Sequence, residues 1–264
     1  MDHQTSPISA YIICLDEVDA LGRCLESLTF CRQIVIVDAG STDGTLDLIQ
    51  DFKARGFPID LHHNDWPGFA RQKQFALERT TEPWCLNVDC DERIDPDLAG
   101  ELTALAATAP ADVAAITVRQ RDWLPGYGYA HPMVAAQRHP RMTRQGRGRY
   151  DPNRVIHEKI DVEGGMLPAK SGWLLHERAI TLAEEVKKAN RYSSLKVRQR
   201  RAAGKSPSLA KLVFSPFATF LKFYVAKRYF LCGIPGLIYA RMMATYTFMS
   251  EAKDYRAANG EIEN

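Results

Sequence analysis

The stretch Trp84-Cys-Leu-Asn-Val-Asp89-Cys-Asp91-Glu-Arg93 decides how this chain is read. Trp84 to Val88 is an apolar run of strand length. It ends directly in two carboxylates, Asp89 and Asp91, with one residue between them. Asp95-Pro96 then reads as a helix start, because Asp95 can cap and proline suits the first helical position. Acidic groups therefore sit at the carboxyl end of a sheet strand, where open α/β sheets bind their ligands. Two oxygen donors on one short turn can hold a hard divalent cation such as Mg²⁺ or Mn²⁺, which also takes phosphate oxygens. Asp-x-Asp alone is a weak signal, since acidic pairs are common on surfaces. Its weight comes from the flanking chain.

Upstream, Ile8 to Leu15 reads as a strand. Val18, Leu21, Leu25 and Leu28 recur at helical spacing over about 17–29. Ile34 to Val37 is a β-branched run, the mark of a strand buried on both faces. Asp38 ends it. The turn Ala39-Gly-Ser-Thr-Asp-Gly-Thr45 leads into a helix that Ser41 or Thr42 can cap. Ile59–His62 is a further strand, 70–79 and 96–107 are helices, and Ala114–Arg119 is the next strand. Such alternation predicts βαβ units with right-handed crossovers. Residues 8–119 thus form a nucleotide-binding half. Neither GxGxxG nor GxxxxGK[ST] occurs, which argues against a dinucleotide site or a P-loop.

From 120 to 180 the pattern shifts to a second, acceptor half. Trp123, Tyr127 and Tyr129 sit in a glycine-rich loop, and Arg138, Arg141, Arg144, Arg147, Arg149 and Arg154 follow with only Asp151 as an acid among them. Val155–Glu158 and Trp173–His176 read as strand ends. The expected organisation is a catalytic domain over 1–180 and a basic, amphipathic helical region over 181–264.

Hydrophobic residues make up 45% of the 264 residues and charged ones 25%, which excludes a disordered chain. Lys187 to Arg228 holds 12 Lys or Arg and no acid. No helix-turn-helix, zinc finger or aromatic strand motif accompanies these bases, so nucleic acid is not the expected partner. Two apolar-rich segments, Leu209–Phe230 and Pro235–Met249, have charge-free runs of about 10–12 residues. A bilayer span wants about 20. Helices lying on an anionic membrane surface are the expected arrangement, with plain packing as the alternative. The six cysteines form no CxxC pair, which fits a reducing compartment, and the first residues show no export signal.

The segments Ile34–Thr45, Asp65–Leu77, Asn87–Arg93 and Val155–Glu158 together resemble glycosyltransferase family 2, of the GT-A nucleotide-diphospho-sugar transferase fold. With the basic tail they resemble its lipopolysaccharide core β-glucosyltransferase branch, over about residues 8–250. The resemblance implies a UDP-sugar donor, a lipid-anchored oligosaccharide acceptor, and a peripheral place on the cytoplasmic face of the bacterial inner membrane. It implies that Asp38 contacts uracil and that Asp89 lies near the ribose and the metal. Asp91 would bind Mg²⁺ or Mn²⁺ with the diphosphate, and His176 would be a further ligand. Glu17 matches the family where Asp16 replaces a usual asparagine; Gln74 likewise replaces one, and Glu177-Arg178 stand where an aromatic is usual.

Glycosyl transfer must neutralise a leaving diphosphate, deprotonate an acceptor hydroxyl and align both reactants. Arg71, Lys73 and Arg93 are candidates for the phosphates. Glu158 is the expected general base, with Asp161 next and Glu92 more distant. One in-line displacement would invert an α-linked donor. The other readings are a different NDP-sugar or glycan (capsule or exopolysaccharide), a nucleotidyltransferase, and a non-catalytic membrane-surface protein. Oligomeric state stays open.

Overall fold

The computed structural model describes residues 6–152, 159–177 and 181–260. The chain forms two compact units, Met1–Arg121 with Ala136–Glu177, and Asp122–Ala135 with Arg178–Asn264.

In the first unit, β1 (Ser6–Cys14), α1 (Val18–Glu26), β2 (Cys31–Asp38), α2 (Thr45–Ala54), β3 (Ile59–His63), α3 (Phe69–Leu77) and β4 (Trp84–Asn87) make the βαβ half. Its strands are parallel in the order β3-β2-β1-β4. Alternation along the strands explains the unbroken apolar runs. Ile8, Ala10, Ile12, Ile34 and Ile36 face one core, with Leu21 and Leu25 of α1, Ile49 and Phe52 of α2, and Leu98 and Leu102. Tyr11, Ile13, Val35 and Val37 face the other, with Ala70, Ala76 and Leu77 of α3. A strand covered on both faces has no polar side to show.

After β5 (Glu92–Ile94) and α4 (Pro96–Thr108) comes β6 (Val113–Leu124), whose last residues, Trp123 and Leu124, belong to the second unit and pair within it with β7 (Gly128–Tyr129). Next come β8 (Arg138–Arg144), β9 (Gly148–Tyr150), β10 (Ile160–Val162), β11 (Gly165–Pro168) and β12 (Leu174–His176). The sheet order is β3-β2-β1-β4-β8-β6-β12-β5, with β7 and β11 on β6, while β9 and β10 pair separately. Asp95 caps α4 as expected: its Oδ1 accepts from Leu98 N at 2.8 Å, with Pro96 in the first turn.

The cap expected on α2 is absent. Gly44, at φ +101°, precedes the helix, and neither Ser41 nor Thr42 caps it. Their groups serve the neighbouring loop instead: Ser41 Oγ accepts from Asp16 N at 2.9 Å, and Thr42 N donates to Asp16 Oδ1 at 2.7 Å. Asp16 itself has φ +55°, a conformation that Asp, like Asn, tolerates.

The second unit holds α5 (Leu182–Ala202), α6 (Leu209–Leu221), a π turn over Lys222–Ala226, a short 3₁₀ turn over Tyr229–Cys232, and α7 (Gly233–Ala258). Asp122–Ala135, read from the sequence as part of the acceptor half, packs here. Leu124, Ala130 and Val134 bury with Tyr229 and Cys232, and Ala135 N donates to Lys227 O at 3.0 Å. Trp123 lies against its own hairpin, 5.0 Å from the Tyr129 ring.

Candidate active site

The carboxyl ends of β1, β2 and β4 converge, as the parallel register requires: Cys14 lies beside Asp38, and Tyr11 beside Asn87. The residues beyond those ends form two loops and one acidic turn.

Asp38 is buried and accepts hydrogen bonds from Gly40 N at 2.7 Å, Ser41 N at 3.0 Å, the Ser41 hydroxyl and, more weakly, the Cys14 thiol. A carboxylate has about four acceptor sites, so the turn over 39–41 takes up its capacity. Burial pushes its carboxyl up, but the Ser41 hydroxyl and the two amides outweigh this and hold it below the usual range. A uracil contact would have to displace one of these donors. Asp43 joins the loops: it accepts from Val18 N at 3.1 Å and from Thr45 N at 3.0 Å. Glu17 flanks α1, half-buried, with its backbone N donating to Thr45 Oγ1 at 2.9 Å.

The acidic turn follows β4. Asp89 Oδ1 pairs with Lys73 Nζ at 2.8 Å and Oδ2 with Arg141 at 3.4 Å. Burial pushes Asp89 up, yet these two cations hold it well below the usual carboxylate range. Burial alone would lower Lys73, but Asp89 raises it above its ordinary value. Arg141 also donates to Asn87 Oδ1 at 2.9 Å and pairs with buried Glu92. Burial raises the Glu92 carboxyl, against the pull of Arg141. Glu92 closes the turn by accepting from Asp89 N at 3.0 Å.

Asp91 points elsewhere. Its Oδ2 lies 3.3 Å from His176 Nε2, and both side chains keep partial access to solvent, 20% and 28%. The antiparallel pairing of β5 with β12 brings His176 alongside the acidic turn: Glu92 stands opposite His176, and Glu177 N donates to Asp91 O at 2.8 Å. Asp91 and His176 therefore come together, while Asp89 is occupied by cations. Among the described residues no three His, Cys, Asp or Glu side chains cluster in the manner of a metal site. A carboxylate with one imidazole still suits Mg²⁺ or Mn²⁺ where substrate phosphates and water complete the shell.

Of the other candidates, Arg93 pairs with Glu177 at 3.2 Å, and Arg71 is exposed on the first turn of α3. Gln74 accepts from Tyr150 N at 2.9 Å. Asp161 is exposed on β10, and Glu158 lies outside the described residues, as does the expected strand Val155–Glu158. Trp66 and Phe69 form an exposed edge-to-face pair, 4.8 Å apart, beyond β3.

The arginines assigned from the sequence to an acceptor surface divide. Arg147 and Arg149 are exposed. Arg138 donates to Ala169 O at 2.8 Å, and Arg144 donates to Val113 O at 2.8 Å and lies over Trp84. Arg141 is inside the site. No local signal marks it, because its partners are 49 to 54 residues away.

A parallel βαβ half with an acidic turn at its carboxyl edge, extended by antiparallel strands, defines a GT-A-type nucleotide-sugar transferase fold. The profile described as "Glycosyl transferase family 2" matches residues 9–163, and the chain belongs to that family and is a glycosyltransferase. It is 44% identical over 250 residues to the lipopolysaccharide core biosynthesis glycosyltransferase LpsC of Rhizobium meliloti, covering 95% of this chain and 92% of that one. It is 24% identical to an uncharacterized glycosyltransferase of Rickettsia bellii, covering 94% and 86%. Among solved structures, a Pyrobaculum calidifontis mannosyltransferase in complex with GDP-Man and Mn²⁺ shares the fold with a TM-score of 0.55 at 13% identity, covering 95% and 87%. S. aureus TarS 1-349 in complex with UDP-GlcNAc does so with a TM-score of 0.54 at 11% identity, covering 97% and 93%.

Proposed function

We propose that this enzyme moves a hexose, glucose, from a UDP-sugar to the lipid-anchored inner core of lipopolysaccharide, with inversion and with Mg²⁺ or Mn²⁺. The observation that carries the reading is near full-length likeness to LpsC, joined to an acidic turn that pairs Asp91 with His176 at 3.3 Å.

Asp91 and His176 would hold the cation. When bound, it offsets the charge that grows on the leaving diphosphate. Asp89, fixed by Lys73 and Arg141, forms the floor toward the ribose. Asp38 shapes the nucleotide loop and would contact uracil, and Glu17 borders the same loop. Arg71, exposed at the start of α3, would meet phosphate more freely than Arg93, which Glu177 engages. Glu158 would remove the proton from the acceptor hydroxyl, and Asp161 is the alternative base.

The enzyme would work at the cytoplasmic face of the inner membrane. Leu209–Ala226 is long and apolar enough to cross a bilayer, and none of that stretch is buried. Lys211, Lys222 and Pro216 interrupt it, and bases flank it, which favours a place in the anionic interface.

The test is nucleoside diphosphate release, UDP or GDP, from a panel of UDP-hexoses and GDP-mannose, with and without Mn²⁺, using lipopolysaccharide inner core as acceptor. Turnover of UDP-glucose alone supports the reading. Turnover of another donor keeps the fold and replaces the sugar, and no turnover by a folded chain removes the function.

A further inference from the structure

We propose that Arg141 is the positioning residue of the transfer: it holds the acidic turn so that Asp91 faces His176. The inference rests on Asp91 being the metal-side carboxylate. Arg141 enters from β8, a strand that pairs antiparallel with β4. Its guanidinium meets acceptors on both sides of Asp91: Asn87 Oδ1 at 2.9 Å and Asp89 Oδ2 at 3.4 Å before it, and Glu92 Oε1 after it. Glu92 in turn accepts from Asp89 N, and Glu92 N donates to Asp89 O at 2.9 Å, so the turn is closed on itself. Lys73 adds a second cation to Asp89. Two cations and one carboxylate are thus removed from most of the solvent, with side chains of Lys73, Arg141 and Glu92 at 6%, 13% and 2% exposure, while Asp89 keeps 34%.

The shape of the cation is what counts. A guanidinium offers its donors in a flat fork that can span several acceptors at once, whereas a lysine ammonium is a point charge. Arg141 Nε finds no hydrogen-bond partner among the described residues, so the group sits where the turn needs it and not where all its own donors are met. Asp91 touches neither cation in this network; its orientation is inherited from the residues on either side.

The test compares the full-length wild type with Arg141→Lys and Arg141→Ala. Arg141→Lys keeps the charge and should fold, yet lose about 10–100-fold in kcat with KM for the donor little changed. Mn²⁺ binding in the presence of UDP, followed by the electron spin resonance of free Mn²⁺, should weaken by about the same factor. Added guanidinium should restore part of the Arg141→Ala activity. Wild-type kcat and Mn²⁺ affinity in Arg141→Lys would overturn the proposal. If the wild type itself binds no Mn²⁺ with UDP, the functional reading fails instead. A crystal structure of Arg141→Lys then decides the positioning role: an Asp91–His176 contact unchanged from the wild-type protein overturns it, and a displaced one supports it.

Discussion

The α/β unit and the helical unit differ in how much of their apolar surface they bury. In the first, Ile8, Ile12, Leu25 and Ile36 are fully buried, and the bases that enter the interior meet carboxylates at the site. In the second, α6 has no buried residue, and Val213, Phe214 and Phe217 are 59%, 69% and 65% exposed. Besides a small apolar cluster around Tyr229 and Cys232, this unit hides charged groups: Glu251, Lys253 and Asp254 of α7 face α5, where Arg200 meets Glu251 at 2.9 Å and Lys253 meets Asn190 Oδ1 at 2.6 Å. A contiguous apolar face of this kind on a chain in water marks an interaction surface. The difference teaches that the sheet-and-helix core of the first unit takes in its largest apolar side chains, while α6 of the second leaves its own exposed.

Four variants sharpen or break that contrast. The largest effect belongs to chemistry: Glu158→Gln should lower kcat by about 10²–10⁴ with donor binding kept. An unchanged rate in UDP release moves the base to Asp161. Next is the core of the first unit. Leu25→Ala should lower stability by about 2–5 kcal/mol in urea unfolding, because a buried methyl cluster leaves a cavity. The matching change in the second unit should behave differently. Phe214→Ser with Phe217→Ser should leave the urea midpoint nearly unchanged. Co-sedimentation with anionic vesicles should fall about tenfold or more, from the loss of apolar area. A double variant that loses stability and keeps vesicle binding would show that this face packs on protein.

The smallest effect is one of pH. Asp38 is held below its unfolded value of about 3.9. A lowered carboxyl gives stability that is full above the unfolded value and is lost as pH falls through the folded one. Stability should therefore decline from about pH 5 downward, and Asp38→Asn should flatten its share of that decline. Equal slopes in the two proteins would mean that the bonds from Gly40 and Ser41 do not favour the ionised form.

Much of the first unit is legible in the sequence because its signals are local. Strand runs such as Ile34–Val37 and the Asp95-Pro96 helix start depend on neighbours in the chain. The acidic turn is legible for the same reason. What escapes is pairing at a distance. Ser41 and Thr42 look like caps, but a loop 25 residues away takes their groups. Arg141 looks like one more surface base until β8 is laid beside β4. Glu251 and Asp254 of α7 meet Arg200 and Arg201 of α5, about fifty residues away, and no local pattern announces that pairing. Residues 122–135 leave the acceptor half for the helical unit through contacts with Tyr229 and Cys232, about a hundred residues on.

The most direct measurement is a Mn²⁺ titration of UDP binding and UDP-sugar turnover in the wild type and Asp91→Ala. Asp91→Ala should fold with a melting midpoint near that of the wild type, lose Mn²⁺-dependent UDP binding, and fall about 10²–10³-fold in kcat. Wild-type Mn²⁺ dependence and wild-type turnover in that variant would contradict the account.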